Sequence, residues 1–198
     1  MADKLRLAIF ISGRGSNMQA IINACGNQSL DAKVCLVFSD NTQAKGLDYA
    51  QKNNIKSIGL VPKEFPSKRE YENQILKILQ ENQIDLICLA GYMRLIGNVL
   101  LTHYKDRIIN IHPSLLPSFK GLNPQQQALD CGVKFSGATV HFVNEELDSG
   151  DIIIQDIVSV LDTDTVSTLS ERILKVEHVI YPRAIQFVIN KIKQGVST

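Results

Sequence analysis

Several features that would point to a function are missing from this sequence. Its charge is nearly balanced, with 21 Lys and Arg against 20 Asp and Glu, a net of +1 over 198 residues. Basic residues are scattered apart from the short pair Lys68–Arg69, so no patch marks a nucleic-acid or membrane partner. None of the four cysteines, Cys25, Cys35, Cys88 and Cys131, forms C-x-x-C, and no His lies at ligand spacing. No metal site is expected. Small buried thiols in a reducing cytosol are expected instead. The first apolar run, Leu7 to Ile11, is too short to cross a membrane and is followed by GRGSN rather than a cleavage site. A cytoplasmic location follows as the expectation. GxxxxGK[ST] is absent, and so is GxSxG, which removes a P-loop and a serine nucleophile elbow. Repeats, low-complexity tracts and linkers are absent too.

What is present is an ordinary globular composition, 44% apolar, sufficient for a full core. One domain over residues 1–198 is expected. Apolar runs within 5–11, 33–39, 84–90 and 107–112 read as buried strands, and IKSIGL (55–60) as a further strand. Helical spacing alternates with them at 18–25, 43–54, 71–82 and 98–105, and 62–70 reads as a polar loop. Alternation of this kind implies a mostly parallel, Rossmann-like α/β sheet with helices on both faces. A helix over 124–132 follows, opened by Pro124 and closed by Gly132. Two strands, 135–143 and 151–160, joined by the acidic turn NEELDSG, add an antiparallel hairpin and make the sheet mixed. The end, about 165–194, reads as helix with a break before Pro182. Gly195 to Thr198 reads as a frayed tail.

Two loops carry chemistry. SGRGSN (12–17) lies between a strand and a helix, where free backbone N–H groups and the helix dipole favour a phosphate or carboxylate. Gly13 and Gly15 permit a tight backbone there, and Ser16 and Asn17 add donors. Met18 stands where a dinucleotide fingerprint needs its third glycine, although Asp40 lies near a ribose-binding position. A nicotinamide-dependent dehydrogenase or a non-catalytic nucleotide-binding module is therefore the rival of a different class. The second loop follows RIINIH (107–112). Asn110 and His112 are two apart, so they share a strand face just before Pro113 stops the ladder. They emerge at the carboxyl end of a buried strand, where open α/β sheets bind ligands.

An amide, an imidazole and a carboxylate from the 144–151 loop suit acyl transfer to an amine. The amide or imidazolium stabilises a developing oxyanion, and the imidazole or carboxylate accepts the amine proton. A carboxylate beside the imidazole favours its charged, donating form. Spacing does not choose among Glu145, Glu146, Asp148 and Asp151. His141, in the middle of a strand, reads as a structural histidine.

The chain also resembles the phosphoribosylglycinamide formyltransferase family from about Leu7 to Phe187. The motifs are SGRGSNMQAII (12–22), LAGYMRL (89–95), NIHPSLLPSFKG (110–121), GATVHFVNEELDSGDIIIQ (137–155) and EHVIYPRAI (177–185). The resemblance implies transfer of a formyl group from 10-formyltetrahydrofolate to glycinamide ribonucleotide in purine synthesis, without metal, by a monomer or homodimer. It implies Asn110, His112 and Asp148 as catalytic residues. It places the substrate phosphate and ribonucleotide on Gly15, Ser16, Asn17 and Glu177, and the folate on Lys68, Met93, Arg94, Leu95, Val143 and Leu147. The halves 1–100 and 101–198 then serve the nucleotide and the folate with its chemistry. One run departs. GLNPQQQAL (121–129) carries Asn123 and Gln125 where relatives usually carry His, and so looks closer to formyltetrahydrofolate deformylase. That sister enzyme, or another folate-dependent formyltransferase, is the nearest alternative. The sister usually has an N-terminal regulatory domain, for which no room is expected ahead of the first strand.

Overall fold

A computed structural model describes residues 4–194; the expected frayed tail, 195–198, lies outside the described residues. Among the described residues, seven strands form one sheet: β1 (Leu5–Ile11), β2 (Ala32–Ser39), β3 (Lys56–Gly59), β4 (Leu86–Leu89), β5 (Ile108–His112), β6 (Phe135–Phe142) and β7 (Ile152–Ser159). Their spatial order is β3-β2-β1-β4-β5-β6-β7. β3, β2, β1, β4 and β5 run parallel, while β5–β6 and β6–β7 are antiparallel. This is the mixed α/β sheet that the pattern of runs predicts.

The continuous apolar strands are explained by cover on both faces. Leu7, Ile9 and Ile11 of β1 enter one buried cluster, and Ala8 and Phe10 enter the other. Cys88 of β4 enters the first cluster, Ile87 and Leu89 the second. Period-2 alternation is thus present, but both phases are apolar because both faces are dry.

The helices are α1 (Ser16–Gly26), α2 (Lys45–Lys52), α3 (Lys68–Glu81), α4 (Asn98–His103), α5 (Pro124–Asp130) and α6 (Val166–Lys193). Two differ from expectation. α3 starts at Lys68, inside the stretch read as a polar loop, because Ser67 caps it by accepting the Glu70 N–H at 3.2 Å. α6 runs through Pro182 without a break. Proline removes one rung of the helix ladder, but Ile180 and Tyr181 before it and Ala184 and Ile185 after it are all buried in one cluster. The Tyr181 hydroxyl also reaches the carbonyls of Leu89 (2.8 Å) and Ile109 (3.2 Å), which fastens the helix across β4 and β5. That packing keeps the helix continuous through the missing bond. Cys88 is buried as expected, whereas Cys25 and Cys35 are half-buried and Cys131 is exposed; all four are free thiols.

The order of the strands reverses at β1, which has β2 on one side and β4 on the other. Loops leaving the carboxyl ends of β1 and β4 therefore diverge and leave a crevice.

Candidate active site

That crevice is a cavity of about 910 Å³. Its walls come from the β1–α1 loop, the β4–α4 loop, the end of β5 with the loop after it, the β6–β7 connection and the first turns of α6.

The β1–α1 loop ends at Gly15, whose φ of 74° and ψ of 39° are left-handed and suit glycine. The loop can lie this close to α2 because position 46 is glycine: a Cβ there would collide with Ile11 Cδ1 and crowd the Gly13 carbonyl at 3.2 Å. Gly46 N–H instead donates to the Gly13 carbonyl at 3.1 Å. Ser16 and Asn17 open α1 and line the cavity. Asn17 Nδ2 donates to Glu177 Oε2 at 2.8 Å, and Asn17 Oδ1 is buried without a partner among the described residues. A ligand N–H or O–H would satisfy it. Glu177 is buried, and burial pushes its carboxyl up to about 7 against the opposing bond from Asn17. It projects here because Tyr181, one turn on, ties α6 to the sheet.

β5 ends as the sequence requires, at His112 before Pro113. Asn110 and His112 share the same face and both line the cavity. The loop after them is fastened from outside. The buried Thr139 hydroxyl donates to the Ser114 carbonyl at 2.7 Å and accepts the Leu116 N–H at 3.0 Å. Gln155 Nε2 reaches the Leu116 carbonyl at 2.8 Å. The Leu116–Pro117 peptide is cis.

Asp148 is the acid that meets the imidazole. Its Oδ2 lies 3.4 Å from His112 Nδ1, and its Oδ1 lies 3.7 Å from His141 Nε2. Gly121 N–H donates to Oδ2 at 2.9 Å. Glu145 and Glu146 also line the cavity, but neither pairs with a His. Burial raises the Asp148 carboxyl, yet His141, the Gly121 N–H and the His112 ring outweigh it and hold it below the usual carboxylate range.

Ring chemistry follows from the partners. His112 Nε2 lies 2.9 Å from the Phe119 carbonyl, which only accepts, so Nε2 carries a hydrogen. Nδ1 then becomes a donor to Asp148 only in the charged ring. His141 Nδ1 likewise donates to the Phe142 carbonyl at 2.8 Å. In the neutral ring its Nε2 accepts from Asn110 Nδ2, 3.2 Å away. Phe119, Gly121, Asn123 and Asp148 all have positive φ, between 47° and 78°. Left-handed backbone thus clusters around the His112–Asp148 pair, as strained backbone does at functional sites.

With this geometry in view, the similarities to known proteins are specific. A family model described as formyl transferase matches residues 5–185. The chain belongs to the formyl transferase family. Within it, the phosphoribosylglycinamide formyltransferase of Bacillus subtilis is 42% identical over 190 residues, 96% of this chain and 97% of that one. The human trifunctional purine biosynthetic protein adenosine-3 is 43% identical over 93% of this chain, which spans only 18% of that protein's length. The solved glycinamide ribonucleotide transformylase 1 of Symbiobacterium toebii superposes with a TM-score of 0.94 at 44% identity, covering 96% of this chain and 90% of that one.

Most residues that the family resemblance marks do line this one cavity: Gly15, Ser16, Asn17, Met93, Arg94, Leu95, Asn110, His112, Val143, Leu147, Asp148 and Glu177. Lys68 does not. It is exposed, 3.9 Å from Glu72, beside a separate pocket of about 170 Å³ that shares Arg94 and Leu95 with the main one. Asp40 is outside the cavity as well, and its carboxylate accepts from Ser12 rather than facing a ligand. That weakens the dehydrogenase alternative.

Some cavity residues carry no clear signal in the sequence. The mid-strand position of His141 marks it as structural, yet the register pairs it with Asn110 and places it in the wall. Ser170 and Leu174 line the cavity with Glu177 on one face of α6. Their spacing of four and three residues was the available signal. Leu122, with 77% of its surface exposed, also faces the cavity.

Proposed function

We propose that this member of the formyl transferase family moves the formyl group of 10-formyltetrahydrofolate to the amine of phosphoribosylglycinamide. The observation that carries the reading is the Asn110–His112–Asp148 cluster at the carboxyl end of β5, beside an anion-binding helix start in the same cavity. The formyl folate is a co-substrate that supplies an activated one-carbon acyl group.

The phosphate sits on the Gly15–Asn17 turn, where backbone N–H groups and the α1 dipole favour it. Glu177 and the free Asn17 Oδ1 then face the ribonucleotide. The folate lies along Met93, Arg94, Leu95, Val143 and Leu147. Met93 and Leu95, which are 68% and 62% exposed, offer an apolar wall to a flat heterocycle. Lys68 lies in the adjoining pocket that shares Arg94 and Leu95 with the cavity, and its ammonium suits the acidic tail of the folate. The halves 1–100 and 101–198 divide accordingly between nucleotide and folate.

Asn110 has a second amide hydrogen beyond the one directed at His141, and it donates to the formyl oxygen as charge develops there. The His112 Nε2–H, held by the Phe119 carbonyl in the ligand-free site, is the second donor. As the amine nitrogen bonds to the formyl carbon and the bond from that carbon to folate N10 breaks, Asp148 supports the positive ring and relays the amine proton through water to N10, which leaves as tetrahydrofolate. Among the described residues no His, Cys, Asp or Glu group is arranged to hold a metal, and no step needs one. No helix among them is long and apolar enough to cross a membrane. The four free thiols suit a reducing cytoplasm.

The test is release of folate product from 10-formyltetrahydrofolate with and without glycinamide ribonucleotide. Release that depends on the amine supports the transferase. Equal release without it makes water the acceptor and assigns deformylase activity instead.

A further inference from the structure

Asp40 stands outside the cavity and has no part in the chemistry above. Even so, it sits where two ligand-facing loops come together. Ser12, the residue after β1, bonds three ways. Its N–H donates to the Gly91 carbonyl at 3.1 Å. Its hydroxyl donates to Asp40 Oδ1 at 2.6 Å and accepts the Met93 N–H at 2.9 Å. Asp40 follows β2, and its other oxygen lies 4.0 Å from Arg94 Nη1. Its side chain is only 12% exposed and its bond from Ser12 is partly buried, whereas Arg94 is half exposed and the Met93–Ser12 bond is open to water. One carboxylate thereby orients the Ser12 hydroxyl and opposes the Arg94 charge. Ser12 leads into the Gly13–Asn17 turn, and Met93 and Arg94 form the wall opposite.

We infer that Asp40 is a positioning residue that sets the phosphate-binding turn and the folate-side loop against each other through Ser12. The inference rests on the proposed transferase reading for the identity of the two ligands, but not for the contacts themselves. A hydroxyl can swing to other acceptors when its partner is removed. A Ser12 hydroxyl fixed by Asp40 presents its lone pair to Met93 N–H, which holds the β4–α4 loop in place. A residue serving one subsite would alter one ligand. A strut between the two loops alters both together and leaves the catalytic trio intact.

The experiment compares wild type, Asp40→Ala, Asp40→Asn, Ser12→Ala and the Ser12→Ala plus Asp40→Ala double variant. Steady-state KM is measured for both substrates, with kcat at saturation. Hydrogen exchange at the Met93 amide is read without any ligand. Asp40→Ala should raise both KM values roughly tenfold, the loss of about one charge-assisted hydrogen bond, with kcat within about threefold of wild type. Asp40→Asn keeps an acceptor for Ser12 and should recover most of the loss. Ser12→Ala should match Asp40→Ala, and the double variant should be no worse than either, because all remove one unit. Met93 exchange should accelerate in both alanine variants.

Unchanged KM values in a folded Asp40→Ala, a rise confined to one substrate, or additive single effects would overturn the inference. Should Asp40→Ala fail to fold, Ser12→Ala and Asp40→Asn decide: a wild-type Ser12→Ala overturns it, and a defective Ser12→Ala beside a near-normal Asp40→Asn sustains it. A wild-type protein that turns over neither substrate would count against the proposed function. The Met93 exchange rates would still judge the strut.

Discussion

Asp148 Oδ2 lies 3.4 Å from His112 Nδ1, with both side chains about 7% exposed. The pair joins the end of β5 to the β6–β7 connection, and the 119–121 segment holds both partners. Phe119 accepts from His112 Nε2 and Gly121 donates to Asp148. A carboxylate so placed serves the charged ring, and a charged ring serves an oxyanion.

His112→Ala should therefore lower kcat by at least about 100-fold, the scale of removing one oxyanion donor, with the melting temperature changed little. Asp148→Asn should also lower kcat, because the amide does not stabilise a positive ring. Rapid-quench or steady-state assays at saturating substrates check both. Normal turnover in His112→Ala would remove it from the chemistry.

Ser16→Ala and Asn17→Ala should act mainly on KM for the phosphorylated substrate, since both residues line the anion turn. Asn17→Ala should be the more severe, because it also leaves Glu177 without its donor. A change confined to the folate KM would displace the phosphate from this turn.

Glu177 gives a pH signature. Its folded carboxyl titrates near 7, above its ordinary 4.5, because burial favours the neutral form. An acid raised in this way contributes its full stability below about pH 4.5. That stability is lost as pH rises through about 7, where the buried group must ionise. Glu177→Gln keeps an acceptor for Asn17 and never ionises. Ligand-free Glu177→Gln should thus match wild type near pH 4.5 and exceed it near pH 8 by up to on the order of 3 kcal/mol. Thermal melts across that range decide the matter, and parallel curves would show that Glu177 is ionised throughout.

Thr139→Val preserves shape but strips the hydroxyl that serves Ser114, Leu116 and Gln155. Stability should fall by about 1–3 kcal/mol, the cost of stranding buried polar groups. A urea midpoint equal to wild type would mean that the loop finds other partners.

Asn123 opens α5 in a left-handed conformation with Pro124 behind it, and Leu122 faces the cavity. Asn123 and Gln125, which stand where the family resemblance implies histidines, should weaken folate contact while the reaction stays the same. Asn123→His with Gln125→His should lower the folate KM; identical kinetics would show that the run is neutral.

Much of this protein is legible in its sequence because the relevant signals are local. Apolar runs with both phases filled announce strands covered on two faces, and β1, β2 and β4 are covered so. Pro113 stops β5, and two-residue spacing puts Asn110 beside His112 without help from the rest of the chain. Gly15 before a helix announces an anion turn. Other features depend on partners far away in the chain. Asn17 meets Glu177 across 160 residues, and Ser12 meets Asp40 across 28. The entry of His141 into the cavity wall follows from cross-strand register between β5 and β6, and the contact of Asp148 with both histidines from how the β6–β7 connection folds back onto the Gly121 N–H. The continuity of α6 through Pro182 follows from burial on both sides of it. Periodicity and turn chemistry act over a few residues, whereas register and docking are set by the packing of the whole core. Local signals in the sequence therefore determined the sheet and set Asn110 beside His112 at its proposed ligand-binding edge, and the family resemblance implied Asp148 as the third group. Tertiary packing decided how that acid meets the imidazole and how the loops around them are held.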